Sequence, residues 1–425
     1  MNVKLNGQIN GLAKRLGPGL ITGAADDDPS GIATYSQAGA QFGYQMGWTV
    51  VLTYPLMVGI QMVSARMGRV TGHGLASNIR RHFPRSVLYA IVAMLVAANT
   101  INVAADIAAM GDALALVAGG SKHLYIILFG VVSLTLQVFL PYQRYVRYLK
   151  WLTLALLAYV AVVFTISVPW REAIVGIVWP RLTLNAQALT VIVAVFGTTI
   201  SPYLFFWQAA QEVEEVNADP AAFPLTQAPE TAREHLRRIK VDTYIGMGFS
   251  NLIALFIIIS AAATLHAAGI HDIQTSAQAA EALRPLAGDA AFLLFSLGII
   301  GTGMLAVPVL AGSAAYAVAE AFEWKSGLDL KLLEAREFYA IITLATLGGV
   351  LLDFTPIDPI RALFWSAVVN GVIAVPIMIV MMLLADDARV MGAFTVTRRL
   401  KALGWLATWT MAAAVVAMFV TGMSY

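Results

Sequence analysis

The sequence predicts an all-α membrane protein that crosses the bilayer with about eleven helices. Of its 425 residues, 59% are hydrophobic and 12% are charged, whereas a soluble domain has roughly 45–50% and 25%. So large an apolar excess does not fit inside one soluble core. Two further observations support this class: apolar runs close to the roughly 20 residues that cross a bilayer, and positive charges that alternate between the predicted sides.

The apolar runs define the candidate helices, and the whole chain, 1–425, is expected to form one membrane domain. Their approximate bounds are 17–38, 46–68, 86–118, 123–140, 149–169, 188–216, 241–265, 290–322, 335–353, 359–385 and 401–423. The longest polar interruption, 211–240, has mixed charges and three prolines and is expected to be a loop.

The basic residues predict the orientation. Cytoplasmic segments carry an excess of Lys and Arg, and with the N-terminus inside, the other side receives only Lys122, Arg171, Arg181, Arg284 and Arg361. The N-terminal stretch MNVKLNGQINGLAKR lacks the apolar core and cleavage site of a signal peptide. We therefore expect an integral protein of the cytoplasmic membrane with its N-terminus inside and its C-terminus outside.

The first candidate helix is interrupted in mid-membrane. In GLITGAADDDPSGIATYSQAGA, the residues Asp26, Asp27 and Asp28 precede Pro29 and Gly31. Proline removes a backbone donor and glycine weakens the helix, so the chain should unwind here. A carboxylate at this depth costs at least about 2.5 kcal/mol, and three in succession repel one another. The pattern predicts a site for a cation.

The sixth candidate helix carries a matching interruption. In VIVAVFGTTISPYLFFWQAAQ, the residues Thr198, Ser201 and Pro202 follow a glycine and offer hydroxyl and carbonyl oxygens. Paired interrupted helices in two halves of a chain indicate a transporter binding site. We expect inverted repeats over about 17–169 and 188–385, with helix 401–423 as an addition.

The candidate ligands come from both interruptions. As metal ligands we predict Asp28, Ser201, Thr198, Gly31, Ala25 and Asp27, and as residues lining the surrounding cavity Asp26, Asn370, Gln208, Tyr203, Asn99, Asn102, Asp106 and Asp112. Simpler interpretations stand beside these. Asp26 and Asp27 are equally consistent with facing an aqueous vestibule or capping the next half-helix. The hydroxyls of Thr198 and Ser201 are consistent with bonds to their own backbone, and the helix-three residues with interhelical hydrogen bonds.

These residues resemble a known family. The run ending in Asp28-Pro29-Ser30-Gly31, the stretch QMVSARMGRVTGHGLA, the stretch DTYIGMGFSNLIALF and the interrupted sixth helix together resemble the NRAMP divalent-metal transporters. The likeness runs from about residue 17 to the end of the tenth helix. It implies a LeuT-type fold of five plus five inverted helices and transport of a divalent metal.

The departures from that family concern the ligands. NRAMP proteins usually read Asp-Pro-Gly-Asn in helix one and Met-Pro-His in helix six. Here the Asn, Met and His positions are Gly31, Ser201 and Tyr203. A thioether selects softer metals, whereas oxygen ligands suit Mg²⁺ or Mn²⁺. The chain is similar to the NRAMP-related magnesium transporters, and we expect a roomy cavity that holds a partly hydrated hard ion.

Helix three carries the other departure. NRAMP proteins resemble one another in an Asp and a Glu, three residues apart on helix three, that suggest a proton route. Ala105 and Ala108 stand at those positions here. We therefore predict transport without proton coupling, with Asp106 and Asp112 as substitutes if the register differs.

Two other functions stay open. One is an NRAMP-related protein that has lost transport and has a sensor or other role. The other is a Mg²⁺-dependent membrane prenyltransferase, because Asp26-Asp27-Asp28 resembles an aspartate-rich motif. That enzyme needs a second acidic cluster, and Glu212-Glu214-Glu215 lacks the matching spacing. We expect no enzyme activity and no resident cofactor. The expected partners are the transported Mg²⁺ or Mn²⁺ and the lipid bilayer, without nucleic acid or an evident obligate protein partner.

Overall fold

A computed structural model describes residues 22–23, 25–140, 152–181, 183, 185–219, 221–328, 330–352 and 358–422. Over these ranges the regular structure is helical, and no β-strand occurs in them. The all-α class predicted from the composition is therefore confirmed. The start of the first predicted segment and residues 149–151 of the fifth lie outside the described residues.

Within the described ranges, twelve helices form the body of the protein. They are α1 (Pro29–Phe42), α2 (Gly47–Thr71), α3 (Arg85–Ala118), α4 (Lys122–Phe139), α5 (Leu157–Thr165), α6 (Ala186–Thr199), α7 (Pro202–Ala218), α8 (Ala232–Ala261), α9 (Ala291–Phe322), α10 (Arg336–Leu352), α11 (Pro359–Asp386) and α12 (Arg398–Gly422). Shorter helices at Leu75–His82, Trp170–Val178, Ser276–Ala280, Arg284–Ala287 and Ala388–Met391 connect them.

The number of membrane spans differs from the predicted eleven. Eight helical stretches of the described chain are long and apolar enough to cross a bilayer, or nine if the pair Leu154–Thr165 and Trp170–Val178, bent by 118°, counts as one span. The 3₁₀ turn Gly43–Met46 joins α1 to α2, so the first two predicted helices count as one stretch. Helix α10 has only 17 residues. A count of eleven is therefore not confirmed.

Burial separates a central helix pair from peripheral helices. In the apolar 18-residue window of Ala186–Ala218, which contains α6 and α7, 94% of the residues are buried, against 28% in the corresponding windows of α4 and α12. A helix that is apolar all round lies either inside the protein or against lipid. The interrupted sixth predicted helix is thus the centre of the fold, and α4 and α12 lie at its edge.

The predicted loop at 211–240 is shorter in the structure. Helix α7 continues to Ala218 and α8 begins at Ala232, so only 219–231 connect them. The polar residues at these ends pair with one another: Arg238 contacts Glu212 at 2.5 Å and Glu215 at 2.8 Å. Charged residues that the sequence assigned to a loop therefore join the two helices.

Candidate metal site between two interrupted helices

Asp28 caps the helix that follows the first interruption. Asp27 and Asp28 are not helical, and α1 begins at Pro29. The Oδ1 atom of Asp28 accepts a hydrogen bond from the backbone N–H of Gly31 at 2.7 Å. Aspartate is a favoured N-cap, and a helix N-terminus stabilises negative charge. The carboxylate is nevertheless only 1% exposed, so burial still opposes its charge.

The second interruption meets the first at this carboxylate. Helix α6 ends at Thr199 and α7 begins at Pro202. The Tyr203 hydroxyl lies 3.3 Å from Asp28 Oδ2 and 3.1 Å from the carbonyl oxygen of Ala25, either of which accepts its hydrogen. The two unwound segments therefore converge, with one carboxylate between them.

A glycine permits the close approach of the two helices. A Cβ atom at Gly31 would lie 3.3 Å from Thr198 Oγ1 and 3.5 Å from the carbonyl oxygen of Asp26. On the next turn of α1, the Tyr35 hydroxyl lies 3.1 Å from Thr199 Oγ1. Any larger residue at 31 would narrow the space between the two interruptions.

The hydroxyls of the second interruption differ in their bonding. Ser201 Oγ lies 2.8 Å from each of the carbonyl oxygens of Gly197 and Thr198, so its hydrogen goes to the backbone one turn back and its lone pairs remain. Thr198 Oγ1 is buried without a hydrogen-bond partner in the described part of the chain. The Ser201 hydroxyl thus bonds to its own backbone, as the simpler interpretation expected, whereas the Thr198 hydroxyl does not.

Asp26 and Asp27 bond to another helix. Ser250 Oγ of α8 lies 2.5 Å from Asp26 Oδ2 and 3.0 Å from Asp27 Oδ1. One hydroxyl has one hydrogen, so it serves one carboxylate at a time. Both side chains are buried, at 1% and 3% exposure, which argues against the vestibule interpretation in this conformation.

Comparison with known proteins agrees with this geometry. The profile of the natural resistance-associated macrophage protein-like (Nramp) family matches residues 19–421. The chain belongs to the NRAMP family. It is 29% identical over 400 residues to a divalent metal cation transporter, MntH, of Klebsiella pneumoniae, covering 92% of this chain and 90% of the relative.

Solved structures show the same fold. A manganese transporter of Eremococcus coleocola, in complex with an aromatic bis-isothiourea substituted compound, superposes with a TM-score of 0.73 at 16% identity, covering 96% of this chain and 85% of that one. The inward-facing form of Mhp1 gives 0.51 at 13% identity, covering 96% and 91%. The NRAMP chain therefore has the LeuT-type fold that its residues predicted.

The predicted cavity residues of this NRAMP protein fall into two groups. Some are bonded: Asn99 Nδ2 donates to the Leu310 carbonyl oxygen at 2.8 Å and contacts Ser313 Oγ at 2.7 Å, which is the interhelical interpretation. Gln208 Oε1 accepts from Thr22 Oγ1 at 2.6 Å. These side chains fix helices in place around the interruptions.

Others are buried without such bonds. Asn102 of α3 and Asn370 of α11 are 0% exposed, and neither amide has a hydrogen-bond partner among the described residues. Asn370 precedes Gly371, which packs directly against Gly197 of α6. Buried amides without protein partners need water or a ligand, as a cavity for a hydrated ion would provide.

Asp106 and Asp112 are separated in space. Asp106 is 0% exposed and interacts electrostatically with Tyr203. Asp112 is partly exposed and lines a separate cavity of about 280 Å³ with Thr275 and Ser276. Only Asp106 thus belongs to the surroundings of the interruptions.

Sequence reasoning missed Ser250 and Tyr35. Serine and tyrosine are common in membrane helices, and neither stands beside a helix interruption in the sequence. Ser250 lies within DTYIGMGFSNLIALF, which carried part of the family likeness, so that stretch was the available signal.

The donor set fits a hard cation. In the described part of the chain, no three His, Cys, Asp or Glu side chains form a cluster that could hold a metal ion by themselves. A cation beside Asp28 would therefore rely on one close carboxylate with carbonyl and hydroxyl oxygens. Such a set suits Mg²⁺ or Mn²⁺.

Proposed function

We propose that this NRAMP protein moves a divalent metal cation across the membrane and binds it at Asp28, between the two interrupted helices. The observation that carries the proposal is the pair of Tyr203 contacts, 3.3 Å to Asp28 Oδ2 and 3.1 Å to the Ala25 carbonyl oxygen. They place the Tyr203 side chain of the second interruption against a buried carboxylate and a backbone carbonyl oxygen of the first. A divalent cation would offset the cost of burying that charge.

The proposed ligands are Asp28, the backbone oxygens of Ala25 and Thr198, and the hydroxyls of Thr198 and Ser201. Gly31 leaves space for the ion because it has no side chain; a Cβ atom there would lie 3.3 Å from Thr198 Oγ1. Asp27 is a weaker candidate because its Oδ1 is bonded to Ser250 at 3.0 Å. Water would complete the coordination, since Mg²⁺ gives up its hydration reluctantly.

Hard ions are favoured by the absence of sulfur at the second interruption. Ser201 occupies the position where a thioether would select softer metals. The names of the relatives, a divalent metal cation transporter and a manganese transporter, support a divalent cargo. We propose Mg²⁺ or Mn²⁺, bound with part of its water.

We also propose that transport is not coupled to protons and that the N-terminus is cytoplasmic. The buried alanines Ala105 and Ala108 carry no proton, and the basic residues alternate as the positive-inside rule requires. The matched interruptions support inverted repeats over about 17–169 and 188–385. The prenyltransferase alternative gains no support, because Glu212 and Glu215 pair with Arg238 and do not form a second metal cluster.

The test is metal flux into proteoliposomes with Asp28→Asn. We expect wild-type protein to carry Mg²⁺ or Mn²⁺ and Asp28→Asn to lose that flux, because the amide removes the anionic ligand and keeps the shape. Asp112→Asn, on α3 but in the separate cavity, is the matched control and should keep it. Absent wild-type flux would favour the sensor alternative, and full flux in Asp28→Asn would refute this site.

A further inference from the structure

Two histidine rings meet one backbone carbonyl at the C-terminal end of α1. His266 Nδ1 lies 2.8 Å from the carbonyl oxygen of Ala40, and His271 Nδ1 lies 3.2 Å from the same oxygen. The ring centroids are 4.7 Å apart and the rings are inclined at 65°. Three potential metal-donor atoms are thus gathered at one point, far along α1 from Asp28.

The backbone holds this arrangement in place. His266 ends a π-helical turn, Ala262–His266, that extends α8, and π turns often accompany functional sites. Gln37 of α1 fixes the loop that carries the second ring. Its Nε2 donates to the His271 carbonyl at 3.3 Å, and its Oε1 accepts from the Ile273 N–H at 2.9 Å.

The separations suit coordination as well as hydrogen bonding. For metal–nitrogen bonds of about 2.0–2.1 Å, ligand atoms that subtend about 90–109° at the metal lie roughly 2.8–3.4 Å apart. The two nitrogens are 2.8 and 3.2 Å from the carbonyl oxygen. Without a metal, each nitrogen must carry a hydrogen toward that oxygen. With a metal, each ring would turn slightly so that its lone pair, like the carbonyl oxygen, faces the ion.

The chemistry favours a transition metal over the proposed cargo. Imidazole nitrogen suits Zn²⁺, Ni²⁺ and Cu²⁺, whereas Mg²⁺ prefers oxygen. His266 is partly buried and His271 is exposed, so an ion can reach the rings from solution. The exposed carboxylate of Asp272 follows directly in the chain, and water can occupy the remaining positions.

We propose that His266, His271 and the Ala40 carbonyl form a transition-metal site at the outer end of α1, separate from the transport site. Zn²⁺ or Ni²⁺ bound there ties α1 to the end of α8 and to the following loop. In a LeuT-type transporter the two half-bundles move against each other, so a bound ion slows transport. The slowing rests on the proposed function, but the binding does not.

The test is calorimetric titration of the purified protein with Ni²⁺ at pH 7.5 in the Asp28→Asn background, which removes the proposed transport site. One Ni²⁺ should bind, and excess Mg²⁺ should not displace it. His271→Ala and His266→Ala should each weaken binding by about tenfold or more, the usual scale for perturbing a metal site. The matched control is His123→Ala, because His123 lies at the start of α4; this variant should bind Ni²⁺ as tightly as the Asp28→Asn protein.

Binding that is absent, or unchanged in both His266→Ala and His271→Ala, would overturn the site. Proteoliposome flux then tests the consequence: Ni²⁺ outside should slow wild-type Mn²⁺ uptake and should act about tenfold more weakly on His271→Ala. Because calorimetry does not require flux, a protein that fails to transport can still bind Ni²⁺. The two proposals therefore fail separately.

Discussion

At the scale of single residues, the charge of Asp28 dominates the site. Its carboxylate is 1% exposed and receives one backbone N–H from Gly31 at 2.7 Å and one longer hydroxyl contact from Tyr203 at 3.3 Å. An isolated buried carboxylate is costly unless it is paired. The hydrogen bonds offset part of that cost, and a divalent cation would offset the remainder.

The identity of residue 201 predicts metal preference. Ser201→Met should raise the affinity for Cd²⁺ relative to Mg²⁺ by about tenfold, equivalent to about 1.4 kcal/mol, because a thioether binds soft metals better than hard ones. Calorimetry with both ions on detergent-purified protein measures the ratio. The control is Ser260→Met: Ser260 is also buried and bonds to a backbone carbonyl, that of Ile257 at 3.1 Å. An unchanged ratio in Ser201→Met would count against Ser201 as a ligand.

The sequence predicted the residues that sit inside the two interruptions better than the residues around them. Asp28, Thr198 and Tyr203 stand next to a proline or glycine, so local chemistry marks them. Ser250 reaches Asp26 at 2.5 Å from α8, a contact that depends on how distant helices pack. The choice between Asp106 and Asp112 also depended on packing. Both residues lie on α3, and only the tertiary structure shows that Asp106 lies near Tyr203 whereas Asp112 lines another cavity.

At the scale of elements, the central fact is that two helices stop at the same place. Proline at N1 starts α1 and α7, and each start leaves free backbone groups in the interior. The sequence located both interruptions, because proline and glycine act locally. It placed the start of the next helix at 241, whereas α8 begins at Ala232, because the pairing of Arg238 with Glu212 at 2.5 Å is a tertiary contact.

The packing of α6 against α11 predicts a strong effect of one methyl group. In Gly197→Ala, the new Cβ would lie 2.8 Å from Gly371 Cα and closer still to the Ala367 carbonyl oxygen. Backbone atoms cannot rotate out of the way as a side chain can. We therefore expect the free energy of unfolding to fall by about 1–3 kcal/mol, seen as a lower Tm in detergent. Gly422→Ala, with nothing within 4 Å of its Cβ, should leave Tm unchanged. Equal Tm values for wild type and Gly197→Ala would contradict this packing.

At the scale of the whole molecule, the interrupted pair is enclosed by the other helices. In the apolar window of the stretch that contains α6 and α7, 94% of the residues are buried, against 28% in that of α4. Apolar composition predicted helices that cross the membrane, but composition alone does not separate a central helix from a lipid-facing one. The number of spans also depended on a joining turn, Gly43–Met46, which hydropathy does not reveal.

Proton coupling is a property of the whole transport cycle. With Ala105 and Ala108 on α3, we expect metal influx without proton movement, so that a pH dye inside proteoliposomes stays constant while Mn²⁺ enters. A protonophore added at the end verifies that the dye responds. Acidification in step with Mn²⁺ entry would contradict the prediction, and its loss in Asp106→Asn would identify the residue that carries the proton.

Anomalous scattering from a crystal of this protein grown with Mn²⁺ would locate the bound ion directly. Binding at the two interruptions predicts an anomalous peak about 2.0–2.3 Å from an Asp28 carboxylate oxygen, beside the carbonyl oxygens of Ala25 and Thr198, and no such peak in Asp28→Asn. A wild-type peak that lies elsewhere and persists in Asp28→Asn would contradict it.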